Sequence, residues 1–243
     1  MSTPTLTDTD RVDRRINQLG AAQFFDPVTV AHASAAGVDN VFALYAAGRA
    51  GVMGNVTATQ AASALGFFPL ELVRTVWADA EAIDEPVRIA RIYADAMVEA
   101  ARGSWDAAAA ETVIGLGTAV ADSVSLLGLP LFAGWREMGL PSEPVGAALH
   151  VVHTLRELRG DIHVQSVAAQ LLHPLEAEVV TRGDEGAALH GWPQPWPDPA
   201  PFVERVGAAD AATAERMRQI YAESIGADGF ARFASAVEAL APA

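Results

Sequence analysis

The chain contains no cysteine. That excludes disulfides, thiolate metal ligands and a thiol nucleophile, and it suits a reducing compartment such as the cytoplasm. Positive charge is scarce too: 16 Lys and Arg stand against 30 Asp and Glu, a formal net charge of -14. Nucleic-acid affinity rests largely on cations that neutralise phosphates, and no basic cluster offers them, so DNA, RNA and anionic lipid are not the expected partners. The first fifteen residues are rich in Thr, Asp and Arg and have no apolar core, unlike a signal peptide. The most apolar stretch, 113–135, is interrupted by Asp122, Ser123, Ser125 and Pro130. A membrane span needs about 20 predominantly apolar residues with few or no charges. The stretch reads instead as two packed helical pieces broken near Gly128-Leu129-Pro130, with no membrane partner. Also missing are a Gly-rich phosphate loop after a strand and a Gly-x-Ser-x-Gly elbow.

What is abundant is alanine, the strongest helix former, in stretches without β-branched alternation. An all-α fold is expected. Periodicity and breakers place helices at about 8–20, 27–36, 38–51, 57–65, 69–80, 85–102, 104–126, 130–138, 142–158, 162–172, 174–182, 200–206, 210–225 and 227–240. Asp26-Pro27, Ser142 to Pro144 and Asp210 have the chemistry of helix starts. Gly66, Gly103 and Gly226 stand where helices should stop.

Two segments can be laid over one another. Gly54-Asn55-Val56, Gln60-Ala61-Ala62 and Pro69-Leu70-Glu71 correspond in order to Gly160-Asp161-Ile162, Val167-Ala168-Ala169 and Pro174-Leu175-Glu176. Further on, Ile92-Tyr93-Ala94-Asp95 returns as Ile220-Tyr221-Ala222-Glu223. This order suggests two pseudo-repeated helical halves, 1–133 and 134–243, the second carrying an insertion at about 182–205. The insertion holds Trp192-Pro193-Gln194-Pro195-Trp196-Pro197, too Pro-dense for a helix. It reads as a stiff linker, or as a lid whose Trp192 or Trp196 lines a pocket.

Thr57 to Trp77 has the layout of a helix-turn-helix: a short helix, a Gly turn and a second helix. A DNA-reading second helix should begin with Arg, Lys, Asn, Gln or Ser. Here it begins with Phe68, Pro69, Leu70 and Glu71, and its counterpart with His173, Pro174, Leu175 and Glu176. The layout is present and the reading residues are not, so the unit is a degenerate one.

Two strings carry a family resemblance: Ala46 to Gly54, and Leu155 to Val164 with Arg-Glu-x-Arg-Gly-Asp-x-His over Arg156 to His163. With His150 at its spacing, they resemble an actinobacterial helix-turn-helix family, many of whose members have a C-terminal part similar to MarR winged-helix regulators. The resemblance runs from about Phe24 to Leu240. It implies a fold and brings no activity, cofactor or catalytic residue. The Trp/Pro insertion departs from the pattern, standing where relatives more often place a wing.

The richest chemistry lies in His150 to His163. On a helix His150, His153 and Glu157 share a face, with Asp161 and His163 beyond a break expected at Gly160. Such residues serve equally for metal binding, for acid–base work or for an ion-pair network tying helices together. All come from one segment, so no metal is assigned, and no cofactor. Arg49 sits in an apolar, Gly-rich stretch and must reach water, a carboxylate or an anion, because an unpaired buried guanidinium is very costly. The expected pocket lies between the halves. Arg49 with Arg156 or Arg159 would anchor an anion, His153 would join them, and Met53, Phe67, Phe68 and Trp77 would form an apolar wall. The plain alternative pairs Arg49 with Asp161 or Glu157. His32 and His190 read as isolated surface residues. The functional expectation is a protein that binds a small, largely apolar organic molecule and works on it with His150, Asp161 and His163 as acid–base groups. The alternatives are a ligand-responsive MarR-like regulator and a homodimeric interaction module.

Overall fold

The computed structural model describes residues 4–102 and 104–241. Its helices are α1 (Leu6–Ala22), α2 (Pro27–Ala35), α3 (Val41–Ala50), α4 (Ala58–Leu65), α5 (Leu70–Ile83), α6 (Pro86–Ala101), α7 (Ala107–Ser123), α8 (Pro130–Glu137), α9 (Pro144–Ala169), α10 (Pro174–Leu189), α11 (Val203–Ser224) and α12 (Gly226–Ala239). Short 3-10 turns occupy Gly51–Met53 and Ala200–Phe202. No strand occurs among the described residues, so the fold is all-α.

The starts are written in side chains. Asp26 accepts from Val28 N ahead of Pro27, and Thr57 with Gln60 forms a reciprocal capping box on α4. Gly103, expected to stop a helix, lies outside the described residues. No helix among the described residues is long and apolar enough to cross a membrane.

Helix α9 is the axis of the molecule. It packs against α1, α6, α7, α8 and α11, and every residue from Gly146 to Leu155 is buried. A helix buried on all sides needs neighbours on all sides, which this arrangement supplies.

Several expected boundaries move. The break at Gly160 does not occur: α9 runs unbroken to Ala169. Glycine inside a helix costs only about 1 kcal/mol relative to Ala, less than packing on all sides returns. The helices expected at 200–206 and 210–225 are one, α11, so Asp210 lies inside a helix instead of starting one. The insertion is only partly linker. Helix α10 continues through a kink at Gly183 (φ 67°) to Leu189, leaving 191–199 as the irregular Trp/Pro strap.

Both matched segments fold as helix, turn, helix. The first is α4, a turn at Gly66 to Pro69, and α5. The second is the end of α9, a turn at Gln170 to His173, and α10. Gly66 has φ 76°, and a Cβ there would stand 2.6 Å from Val164 Cγ2. The first turn is thus seated directly on α9.

Candidate site: a buried polar cluster at the centre of the bundle

Because α9 is unbroken, His150, His153, Glu157 and Asp161 follow one another along one side of it, at spacings of three and four residues. The centre of this stripe is Glu157, which is fully buried. Arg49 on α3 grips both its oxygens, Nε to Oε1 at 3.0 Å and Nη2 to Oε2 at 2.8 Å. Arg156 donates to the same Oε1 at 2.6 Å. Arg49 therefore takes Glu157, the partner foreseen in the plain alternative. Burial opposes charge on both groups, but each outweighs it for the other. Arg49 is held well above its usual range, and Arg49 with Arg156 brings Glu157 down to about 2.

Aromatic rings surround the cluster. Tyr45, one turn before Arg49, accepts from Arg49 Nη1 at 2.8 Å and lies edge-on to Phe24 and Phe68. The Arg156 guanidinium lies 4.7 Å over Phe24 and donates to Asn17 on α1 at 3.1 Å. Trp135 on α8 packs its ring 4.0 Å from that of His153 and donates to the Arg49 carbonyl at 3.1 Å. Tyr93 on α6 closes the ring of neighbours, 6.1 Å from His153 and 6.4 Å from Trp135.

Two members of the cluster are unsatisfied. Tyr93 and His153 are both fully buried. Neither the Tyr93 hydroxyl nor either His153 ring nitrogen has a hydrogen-bond partner among the described residues. His153 Nε2 is 3.5 Å from Glu157 Oε1. Burial, reinforced by the two arginines, nevertheless keeps the imidazole neutral, its pKa well below the usual value despite Glu157. Buried polar groups are nearly always paired, so two such orphans beside two guanidiniums that share one carboxylate are noteworthy.

The three expected acid–base residues do not converge. His150 Nε2 is 2.8 Å from the Trp135 carbonyl. Asp161 lies about 16 Å further along the helix, given a rise of ~1.5 Å per residue. It accepts from Phe132 N at 2.9 Å and so caps α8, whose own N-cap residue, Leu129, makes no side-chain bond. Burial raises the Asp161 pKa to about 7, partly offset by the α8 amides. His163 faces elsewhere, 3.2 Å from Thr213 on α11 and stacked on Phe67 at 5.5 Å.

The expected binding residues also divide. Arg49, His153 and Arg156 meet. Arg159 turns towards α1, 3.7 Å from Asp13. Phe68 reaches the rim of the cluster between Tyr45 and His190, whereas Phe67 belongs to a smaller core with Val167 and Leu172. Trp77 and Met53 pack in and against the main core. His190 is not an isolated surface group: its ring lies 4.8 Å from that of Phe68, and it is 3.1 Å from the buried Glu178. Sequence reasoning missed Tyr45, Tyr93 and Trp135. For Tyr45 there was a signal, its spacing of four residues from Arg49.

A small cavity of about 20 Å³ adjoins the cluster, lined by Met97, Val98, Trp135, Leu149, His150 and His153 among others. That is the space of a water molecule or so. No group of three or more His, Asp and Glu placed to hold a metal ion occurs among the described residues.

The start of α5, where a reading helix would meet DNA, is covered in part, with Glu71 left exposed. The Trp192 indole donates to the Phe67 carbonyl at 3.1 Å, and a Cβ on Gly191 would meet Leu72 at 2.8 Å. Trp192 also lies edge-on to His173, the N-cap of α10, at 5.3 Å. The strap thus touches the first turns of both second helices. Arg74 on α5 is paired with Glu71, and Arg182 on α10 with Glu178.

Fold and site together define a helical protein of helix-turn-helix type with a buried, arginine-rich polar cluster at its centre. A family model described as "Helix-turn-helix family" matches residues 9–201, and the chain belongs to that family. No curated protein matches it, and no solved structure does. Membership leaves nucleic-acid binding open.

Proposed function

We propose that this helix-turn-helix protein binds a small, largely apolar organic molecule at the cluster between α1, α3, α6 and α9. In this reading the duplicated units serve as a frame for the site. The observation that carries it is the pair of orphans: the Tyr93 hydroxyl and the His153 imidazole, fully buried and unpartnered beside Arg49 and Arg156. Leaving such groups unpaired costs roughly 1–3 kcal/mol each, which a ligand with matching polar atoms would recover. Binding needs no acid–base step, and His150, Asp161 and His163 each have a structural partner instead. The site is closed at rest, so the ligand enters by displacing side chains. A thermal-shift screen of the purified protein against a metabolite library tests this. A ligand that binds only the folded state raises the melting temperature with concentration. A library without a single such compound overturns the reading.

The second reading is a ligand-responsive regulator related to MarR proteins, acting as a homodimer in the cytoplasm. Membership of a helix-turn-helix family is compatible with a regulator. Selection of duplexes from a random pool at moderate salt decides it: enrichment of a sequence supports the regulator, and recovery of an unenriched pool removes it.

A further inference from the structure

Tyr93 has a counterpart that shows what it lacks. In the matched strings Ile92-Tyr93-Ala94-Asp95 and Ile220-Tyr221-Ala222-Glu223, both tyrosines are fully buried. Tyr221 donates to Asp13 Oδ1 at 2.8 Å, and Arg159 lies 3.7 Å from the other oxygen of that carboxylate. The order there is tyrosine, carboxylate, arginine. Around Tyr93 the hydroxyl, the arginines and a carboxylate are present, yet no carboxylate oxygen accepts from the hydroxyl. Glu157 is fully engaged by Arg49 and Arg156.

The arginines also have donors held only by neutral groups. Arg49 Nη1 is capped by the Tyr45 hydroxyl, and Arg156 Nε by the side-chain amide oxygen of Asn17. An ionised acceptor makes a hydrogen bond roughly twice as strong as a neutral one, so an anion outcompetes such caps. Tyr45 is half-buried, Asn17 is exposed and Phe25, stacked on Tyr45 at 5.8 Å, is 56 % exposed. On this side exposed and half-buried groups border the two guanidiniums, and the rings of Tyr45 and Phe25 form part of the rim.

We infer that the ligand is a small organic monocarboxylate. Its head takes the place of the Tyr45 hydroxyl on Arg49 Nη1 and accepts from the Tyr93 hydroxyl, while its apolar body lies against Phe24, Phe25 and Phe68. The head neutralises the surplus charge of two guanidiniums sharing Glu157, and it gives Tyr93 the bond that Tyr221 has with Asp13. This rests on the proposal that the cluster is a ligand site, and it adds the chemical class and the way in.

The test uses the intact protein with hexanoate, phenylacetate, hexanamide and hexylamine, read by thermal shift and calorimetry. The carboxylates bind and the amide and amine do not. Two variants separate the roles of the tyrosines. Tyr93→Phe removes an unpaired buried hydroxyl, so the ligand-free protein melts no lower than the parent, while carboxylate affinity falls about 10- to 100-fold. Tyr45→Phe removes the competing cap, so carboxylate affinity rises several-fold. Binding of the amide or amine in place of the acids overturns the class but leaves a ligand site standing. Binding of none of the four, with a library screen also blank, overturns both. Carboxylate affinity unchanged in Tyr93→Phe overturns the geometry.

Discussion

Arg49 and Glu157, 108 residues apart in the chain, meet in a two-point pair that is buried on both sides. The pair joins α3 to α9 and fixes the centre of the bundle. Removing one partner of such a pair leaves an uncompensated buried charge, at a cost of about 3–5 kcal/mol. Glu157→Ala should lose stability of that order in urea denaturation, with two guanidiniums left facing each other. Glu157→Gln keeps an acceptor for Arg49 and should lose less. Equal stability of Glu157→Ala and the parent would mean that the pair does not hold the helices together.

The second prediction concerns pH. Burial raises Asp161 from its ordinary 3.8 to about 7. Between those values the folded chain holds a proton that the unfolded chain has released, so stability falls as pH rises from about 4 to about 7. Asp13, raised by burial to about 6, adds to the same slope. Glu157 acts the other way and lower down. Its pKa is depressed from 4.5 to about 2, so its contribution is lost as pH falls through that range. Asp161→Asn keeps an oxygen for the Phe132 amide and removes the titration. It should be more stable than the parent at pH 8, by on the order of 1–3 kcal/mol. The slope between pH 6 and 7 should flatten, and that between 4 and 6 should remain in part. Urea denaturation at several pH values measures both; an unchanged slope would place the titration elsewhere.

Two glycines make a paired prediction. A Cβ on Gly48 would stand 2.4 Å from Tyr93 Cγ, with the ring unable to retreat through the core. Gly48→Ala should force α3 and α6 apart and cost about 1–3 kcal/mol. Gly160 lies in the middle of α9, and a Cβ there meets only Glu157 Oε2, at 3.8 Å. Gly160→Ala should therefore stabilise by about 0.5–1 kcal/mol. Thermal or urea denaturation of the two variants should show shifts of opposite sign.

Gly160 also marks how far the sequence could be read. Most helices follow from caps and breakers that act within a few residues, as Asp26-Pro27 and the Thr57–Gln60 box do, and these were legible. Whether a glycine interrupts α9 depends on neighbours on every side of it, which local chemistry does not encode. The same divide runs through the site. The need of Arg49 for a partner follows from its apolar setting alone. That Asp161 caps α8, and that Tyr93 reaches the cluster without a partner, are long-range facts of packing. Reading His150, Asp161 and His163 as one group assumed a chain that turns at Gly160. On a straight helix His150 and Asp161 turn to α8 about three turns apart, and His163 turns to α11.

The last prediction tests the strap. Trp192 bridges two places distant in sequence: its indole donates to the Phe67 carbonyl, and its ring lies against His173. In Trp192→Phe the hydrogen bond is lost and most of the ring stays, so the cost should be about 0.5–1.5 kcal/mol. In Trp192→Ala both contacts go. Amide exchange followed by mass spectrometry should then accelerate in two separate peptides, the turn at Gly66 to Pro69 and the start of α10 at His173 to Glu176. Local opening of this kind reports the contacts that hold a segment closed. If faster exchange is confined to 190–199, the strap rests on the two units without tying them. If both turns open, the strap couples the first turns of α5 and α10. Those are the ends at which a helix-turn-helix unit that reads DNA places its recognition residues.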